Sequence, residues 1–107
     1  MTRVGIGYDV HKLEKGDLLY IGGIHISSDV GSVGHSDGDA LSHSIADALL
    51  GAAGLGDIGK FFPSEDDTWK DVRSTVFLEN IARMVKKSGF LINNIDATII
   101  LIGKEVQ

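Results

Sequence analysis

The sequence predicts an α+β domain, a mixed β-sheet with helices packed on one face and an N-terminal β-hairpin. Three observations carry this reading. Apolar residues alternate with a period of two at the start of the chain, two later stretches repeat them with helical period, and an apolar, β-branched run lies near the end. A chain of 107 residues, 43% of them hydrophobic, buries one modest core, so residues 1–107 are expected to form a single domain.

Val4, Ile6, Tyr8 and Val10 alternate with Gly5, Gly7, Asp9 and His11, which predicts a strand whose second face carries Asp9 and His11 together. Leu18–Ile21 and Ile24–Ile26 flank Gly22 and Gly23, residues suited to the positive φ of a tight hairpin turn. After a Gly/Ser-rich loop over 27–34, Leu41, Ile45, Ala48, Leu49 and Ala52 mark one face of a helix, capped by Asp37 or a near neighbour. Asp39, His43 and Asp47 follow at i, i+4 and i+8, so a stripe opposite that face is expected to set a carboxylate one turn to either side of His43. Residues 54–60 hold too much glycine to continue the helix, and Phe61 to Asp67 reads as an acidic loop. A second amphipathic helix is expected from about Val72 to Lys87, with Phe77, Ile81, Met84 and Val85 inward and Gly89 as its stop. Ile95–Ile102 is expected as a buried strand.

The absence of cysteine removes disulfides and thiolate metal sites, so a metal would rest on His and carboxylate ligands. A net charge of −5 without a Lys/Arg cluster argues against a nucleic-acid partner, which needs a cationic face to displace counterions. No apolar run approaches the roughly 20 residues of a membrane helix, and Met1–Gly5 opens no signal-peptide core. A cytoplasmic protein is expected, or a plastid stromal one in a eukaryote, with no membrane partner.

Asp9-Val10-His11 sets a carboxylate and an imidazole two residues apart on one strand face, and His43 from a helix supplies a third ligand type. Three such ligands leave one position of a tetrahedral ion open for substrate. By itself, an Asp-x-His also suits a solvated strand end. His35-Ser36-Asp37-Gly38-Asp39 at a helix start offers N–H groups and a hydroxyl to phosphate or sugar oxygens, although capping alone explains its Asp and Ser. Asp37 and Asp39 would repel a bare phosphate and are expected to face a metal or hydroxyl groups. Asp57-Ile58-Gly59 and Phe62-Pro63-Ser64-Glu65-Asp66 combine an approachable backbone with acceptors for sugar hydroxyls, and equally suit ordinary polar turns. His25 is read as a packing or surface histidine.

Taken in order, Gly5–His11, Ile21-Gly22-Gly23, His35–Asp39, His43, Asp47–Ala53, Leu55–Gly59 and Phe62-Pro63 resemble the 2-C-methyl-D-erythritol 2,4-cyclodiphosphate synthase family. The resemblance implies a zinc ion on Asp9, His11 and His43, with His35 and Ser36 in a loop over the substrate and His35 as a donor to developing charge. It places Asp57, Gly59 and the Phe62 to Asp66 loop around the methylerythritol part, with Asp9, Val10, His11 and Ile58 among the substrate contacts. The implied reaction cyclises 4-diphosphocytidyl-2-C-methyl-D-erythritol 2-phosphate and releases CMP, a step of non-mevalonate isoprenoid synthesis. A second ion, Mg²⁺ or Mn²⁺, and a homotrimer with active sites between subunits are also implied.

The family pattern continues for about a further third, with a Thr-Thr-x-Glu segment that serves the second metal and a Pro-Lys loop that holds cytosine. The present sequence is therefore expected to lack the C-terminal third of that domain, and none of its residues is assigned to either task. A metal-dependent phosphohydrolase and a non-catalytic binder of zinc or isoprenoid diphosphate stand as alternatives.

Overall fold

The computed structural model describes residues 1–33, 37–63 and 65–102. Along the chain run β1 (Leu13–Lys15), β2 (Leu19–Ile21), β3 (Ile24–Ile26), β4 (Val30–Ser32), α1 (Ala40–Ala52), α2 (Ile58–Phe61), a 3-10 turn (Asp67–Trp69) and α3 (Ser74–Lys87). It is an α+β fold with antiparallel strands and helices. None of the helices among the described residues is long and apolar enough to cross a membrane.

The strands correct the expected mixed sheet. Pairing among the described residues is antiparallel, in two separate two-stranded sheets: β1 with β4, where Leu13 faces Ser32, and β2 with β3, where Leu19 faces Ile26. Gly22 (φ 62°) and Gly23 (φ 82°) form the turn between β2 and β3, because a two-residue hairpin loop of this kind needs positive φ at both positions. The predicted strands over 4–10 and 95–102 join no ladder. Ile95–Ile102 is exposed rather than buried, with Ile100 at 80% and Ile102 at 81%. The physical reason is that apolar, β-branched residues favour extended backbone, while a strand exists only where a neighbour supplies hydrogen bonds. Both chain segments instead line a cleft of about 710 Å³, with Gly5, Ala48, Val85, Phe90, Ile92 and Ile95 on its walls.

Helix α1 is packed on two sides. Ala46 and Leu50 meet Phe77, Ile81 and Val85 of α3 to form the buried core, joined by partly buried Leu49, Leu55, Phe62, Trp69, Met84 and Phe90. The fully buried line on α1 is thus Ser42, Ala46 and Leu50, one residue round from the predicted face. Ala48 and Ala52 of the predicted face lie under the N-terminal segment. There Gly5 and Gly7 let two backbones touch: a Cβ at Gly5 would stand 1.9 Å from the Ala48 carbonyl oxygen, and one at Gly7 1.7 Å from that of Ser44. Helix α3 begins slightly later than predicted and stops as predicted at Gly89 (φ 91°), where Phe90 N donates to Val85 O at 3.2 Å.

Candidate metal centre

The glycine contact lays the first extended segment along α1 and so brings Asp9 and His11 to the helix turn that carries His43. Asp9 Oδ2 is 2.5 Å from His11 Nδ1 and 3.8 Å from His43 Nδ1. One ligand atom from each residue falls within 4.8 Å of the others, and all three residues are half-buried. The His11 and His43 ring centroids are 5.1 Å apart.

Asp9, as hydrogen-bond acceptor, raises the pKa of His11; burial works against this, and the charges of Asp9, Asp37 and Asp39 add to it. An ion pair is one account of the 2.5 Å contact, and two lone pairs converging on one point is the other. Alignment favours the second, because Asp9 Oδ2 and His11 Nδ1 are buried and have no aligned hydrogen-bond partner among the described residues. Burial lowers the pKa of His43, against the pull of the Asp9 charge and with help from His11, and so favours the neutral ring that a metal needs. A tetrahedral zinc ion with bonds of about 2.0–2.2 Å holds its ligand atoms roughly 3.3–3.5 Å apart. The two distances, 2.5 and 3.8 Å, bracket that spacing. The three residues fit a metal ion of this kind.

The acidic residues nearby are engaged by protein donors, and the expected cap of α1 is Asp39. Asp39 is fully buried and caps α1, and its carboxylate accepts from Gly22 N at 2.9 Å, Gly23 N at 2.6 Å, Ser42 N at 3.1 Å and Ser42 Oγ at 2.9 Å. Asp47 accepts from Ile58 N at 2.8 Å. The carboxylates of the predicted stripe of Asp39, His43 and Asp47 are thus taken up by N–H groups at helix starts, which attract carboxylates. Asp37, expected to face a metal or hydroxyl groups, meets the Ser74 hydroxyl, together with the protein donors Arg73 Nε at 3.3 Å, Ser74 N at 2.9 Å and Asp39 N at 3.1 Å. Arg73 also donates to Gly23 O at 2.6 Å and lies 4.3 Å over the Tyr20 ring.

Burial pushes the Asp37 carboxyl up, but the bonds from Ser74, Asp39 and Arg73 outweigh it, and the net pKa is lowered. A depressed folded pKa means stability that is complete above the unfolded value and lost as pH falls through the folded one. Asp37→Asn is expected to melt below wild type at neutral pH, with the gap closing as pH falls below about 4, the ordinary Asp value. A gap that stays constant over that range would show the carboxylate charge to be irrelevant.

Of the other predicted site residues, Val10 is 73% exposed. Asp57 caps α2 by accepting from Lys60 N at 3.0 Å, Ile58 is half-buried, and Gly59 is exposed. Phe62 stacks on Phe77 at 4.6 Å and meets the Trp69 edge at 4.8 Å, while Phe77 lies 6.3 Å from the His43 ring. The Phe62 loop is thus tied to the helix that carries His43 through one aromatic ring. Pro63 is half-buried, Glu65 exposed, and Asp66 caps the 3-10 turn through Thr68 N at 3.0 Å. His35, Ser36 and Ser64 lie outside the described residues. Sequence reasoning missed Ser74, whose hydroxyl is 2.7 Å from His43 Nε2. A lone serine at a helix start carries no signal beyond capping.

The YgbB family model matches residues 2–106. A 2-C-methyl-D-erythritol 2,4-cyclodiphosphate synthase of Prochlorococcus marinus (strain MIT 9215) is 54% identical over 100 residues, covering 92% of this chain and 60% of that protein. A solved structure of a 2C-methyl-D-erythritol-2,4-cyclodiphosphate synthase is similar with a TM-score of 0.77 and 52% identity, over 81% of this chain and 58% of the other. Its counterpart described as a CDP-bound form gives 0.76 and 52%, over the same shares of 81% and 58%. The chain thus spans about three-fifths of the length of such relatives.

Proposed function

The chain belongs to the YgbB family, and from that premise we propose that it carries the zinc half of a 2-C-methyl-D-erythritol 2,4-cyclodiphosphate synthase, a lyase of non-mevalonate isoprenoid synthesis. The substrate is 4-diphosphocytidyl-2-C-methyl-D-erythritol 2-phosphate, and the products are the cyclic diphosphate and CMP. The observation that carries this is the convergence of Asp9, His11 and His43, with Asp9 Oδ2 and His11 Nδ1 buried and unaligned with any described donor or acceptor.

The 2-phosphate of the substrate must attack the β-phosphorus, so two anionic groups have to meet at bonding distance. Bound zinc would draw charge from the diphosphate, and Mg²⁺ or Mn²⁺ at a second site would ease departure of CMP. Asp9, His11 and His43 hold the first ion. Asp57, Ile58, Gly59, Phe62, Pro63, Ser64, Glu65 and Asp66 surround the methylerythritol part, and His35 and Ser36 cover the phosphates, with His35 donating to developing charge. Folding the substrate on these residues makes the attack intramolecular, a positioning gain of up to roughly 7–11 kcal/mol. A homotrimer of cytoplasmic location completes the reading. Support for assembly comes from the outward row Val4, Ile6, Tyr8 and Val10, exposed at 90%, 89%, 84% and 73%, an apolar patch that a monomer seldom leaves open.

The test incubates the protein with substrate, Zn²⁺ and Mg²⁺ and follows CMP and phosphate separately. CMP without phosphate is expected. Phosphate release would replace cyclisation with hydrolysis, and zinc uptake without either product would leave a binding protein.

A further inference from the structure

We propose that Ser74 and Asp37 are positioning residues that fix the tautomer and ring angle of His43, so that Nδ1 presents its lone pair to the metal. The inference rests on the zinc reading above and deepens it.

Asp37 accepts at Oδ1 from Asp39 N (3.1 Å) and at Oδ2 from Ser74 N (2.9 Å) and Arg73 Nε (3.3 Å), with the Arg73 guanidinium as its ion-pair partner. Such a carboxylate is an acceptor only. The Ser74 hydroxyl touches Asp37 Oδ1 and has one proton to give, so that proton goes to Asp37. Ser74 Oγ also stands 2.7 Å from His43 Nε2. Having donated to Asp37, it must accept there, and His43 must carry hydrogen on Nε2. The neutral ring then carries its acceptor lone pair on Nδ1, the atom 3.8 Å from Asp9 Oδ2 on the side of the candidate metal site.

The reverse arrangement, Ser74 donating to His43, would need a neutral carboxyl beside a guanidinium. Ser74 is fully buried, so solvent offers its hydroxyl no exchange of partners. The chain Asp37–Ser74–His43 crosses from the loop before α1, through the first residue of α3, to the ligand on α1, and ties three pieces of backbone to one ring. Hydrogen bonds of this outer kind change metal affinity by about 10–100-fold.

Two measurements test the proposal. Long-range ¹H–¹⁵N NMR of the metal-free wild type reads the His43 tautomer directly, and hydrogen on Nε2 is expected; hydrogen on Nδ1 would overturn the proposal without any substitution. Chelator-competition titration of Ser74→Ala is expected to weaken zinc binding by about 10–100-fold and to alter the visible spectrum of the Co²⁺-loaded protein. Ser74→Thr, which keeps the hydroxyl, is expected to restore both. Zinc affinity within twofold of wild type in a folded Ser74→Ala protein would overturn the role. Wild type that shows the Nε2 tautomer but binds no zinc would overturn the metal reading instead, so the two failures are distinguishable.

Discussion

Replacing His43 with alanine is expected to weaken zinc binding about a hundredfold to a thousandfold while leaving the chain folded. Structural zinc sites are worth roughly 10–16 kcal/mol over four ligands, or about 2.5–4 kcal/mol for each. His43→Ala leaves Asp9 and His11, neighbours on one extended segment, with nothing on α1 to close the ion from the other side. Two ligands on one side grip a tetrahedral ion poorly. Zinc is titrated against a chelator of known affinity, and circular dichroism confirms the fold. A variant that binds zinc within tenfold of wild type would remove His43 from the ligand set.

Asp39→Ala is expected to cost about 2–4 kcal/mol of stability, because a buried polar group left without its partner costs about 1–3 kcal/mol. The Asp39 carboxylate accepts from Gly22 N, Gly23 N, Ser42 N and Ser42 Oγ, at 2.6 to 3.1 Å, and Asp39 and Ser42 are themselves buried. Alanine strands the buried Ser42 donors and unties the two glycine N–H groups. The β2–β3 turn then loses its fastening to the start of α1. Urea unfolding reads the loss, and Asp39→Asn, with one acceptor oxygen left, is expected to fall between. A loss under about 1 kcal/mol would mean that the turn is held elsewhere.

The helices were legible because their information is local. Phe77, Ile81 and Val85 repeat at the helical period, and all three are buried; Gly89 ends α3 because its positive φ marks the stop. Strands were less legible. Residues 4–10 and 95–102 have strand chemistry but join no ladder, whereas β1 and β4 pair with no apolar alternation to announce them. Pairing is a property of two segments, and periodicity describes one.

The same distinction separates the site residues. Asp9, His11 and His43 have ligand chemistry, yet only the order of their flanking motifs distinguished them from ordinary polar residues. Asp39 stands one turn before His43 as its spacing implies, with His43 N donating to Asp39 O at 3.0 Å, but helical spacing does not show that a hairpin turn waits at its carboxylate. Ser74 and Asp37 were invisible as a pair: their meeting depends on α3 packing against α1, across 37 positions of sequence.

The contact of Gly5 and Gly7 with α1 works as a gauge block. Because the surfaces that touch include the Ala48 and Ser44 carbonyl oxygens rather than side-chain tips alone, the offset between the segment bearing Asp9 and the helix bearing His43 is metered mainly by main chain. Substitutions in the α1–α3 core can change stability while leaving that offset alone. The ligand spacing is therefore insulated from drift in the core and vulnerable at two glycines.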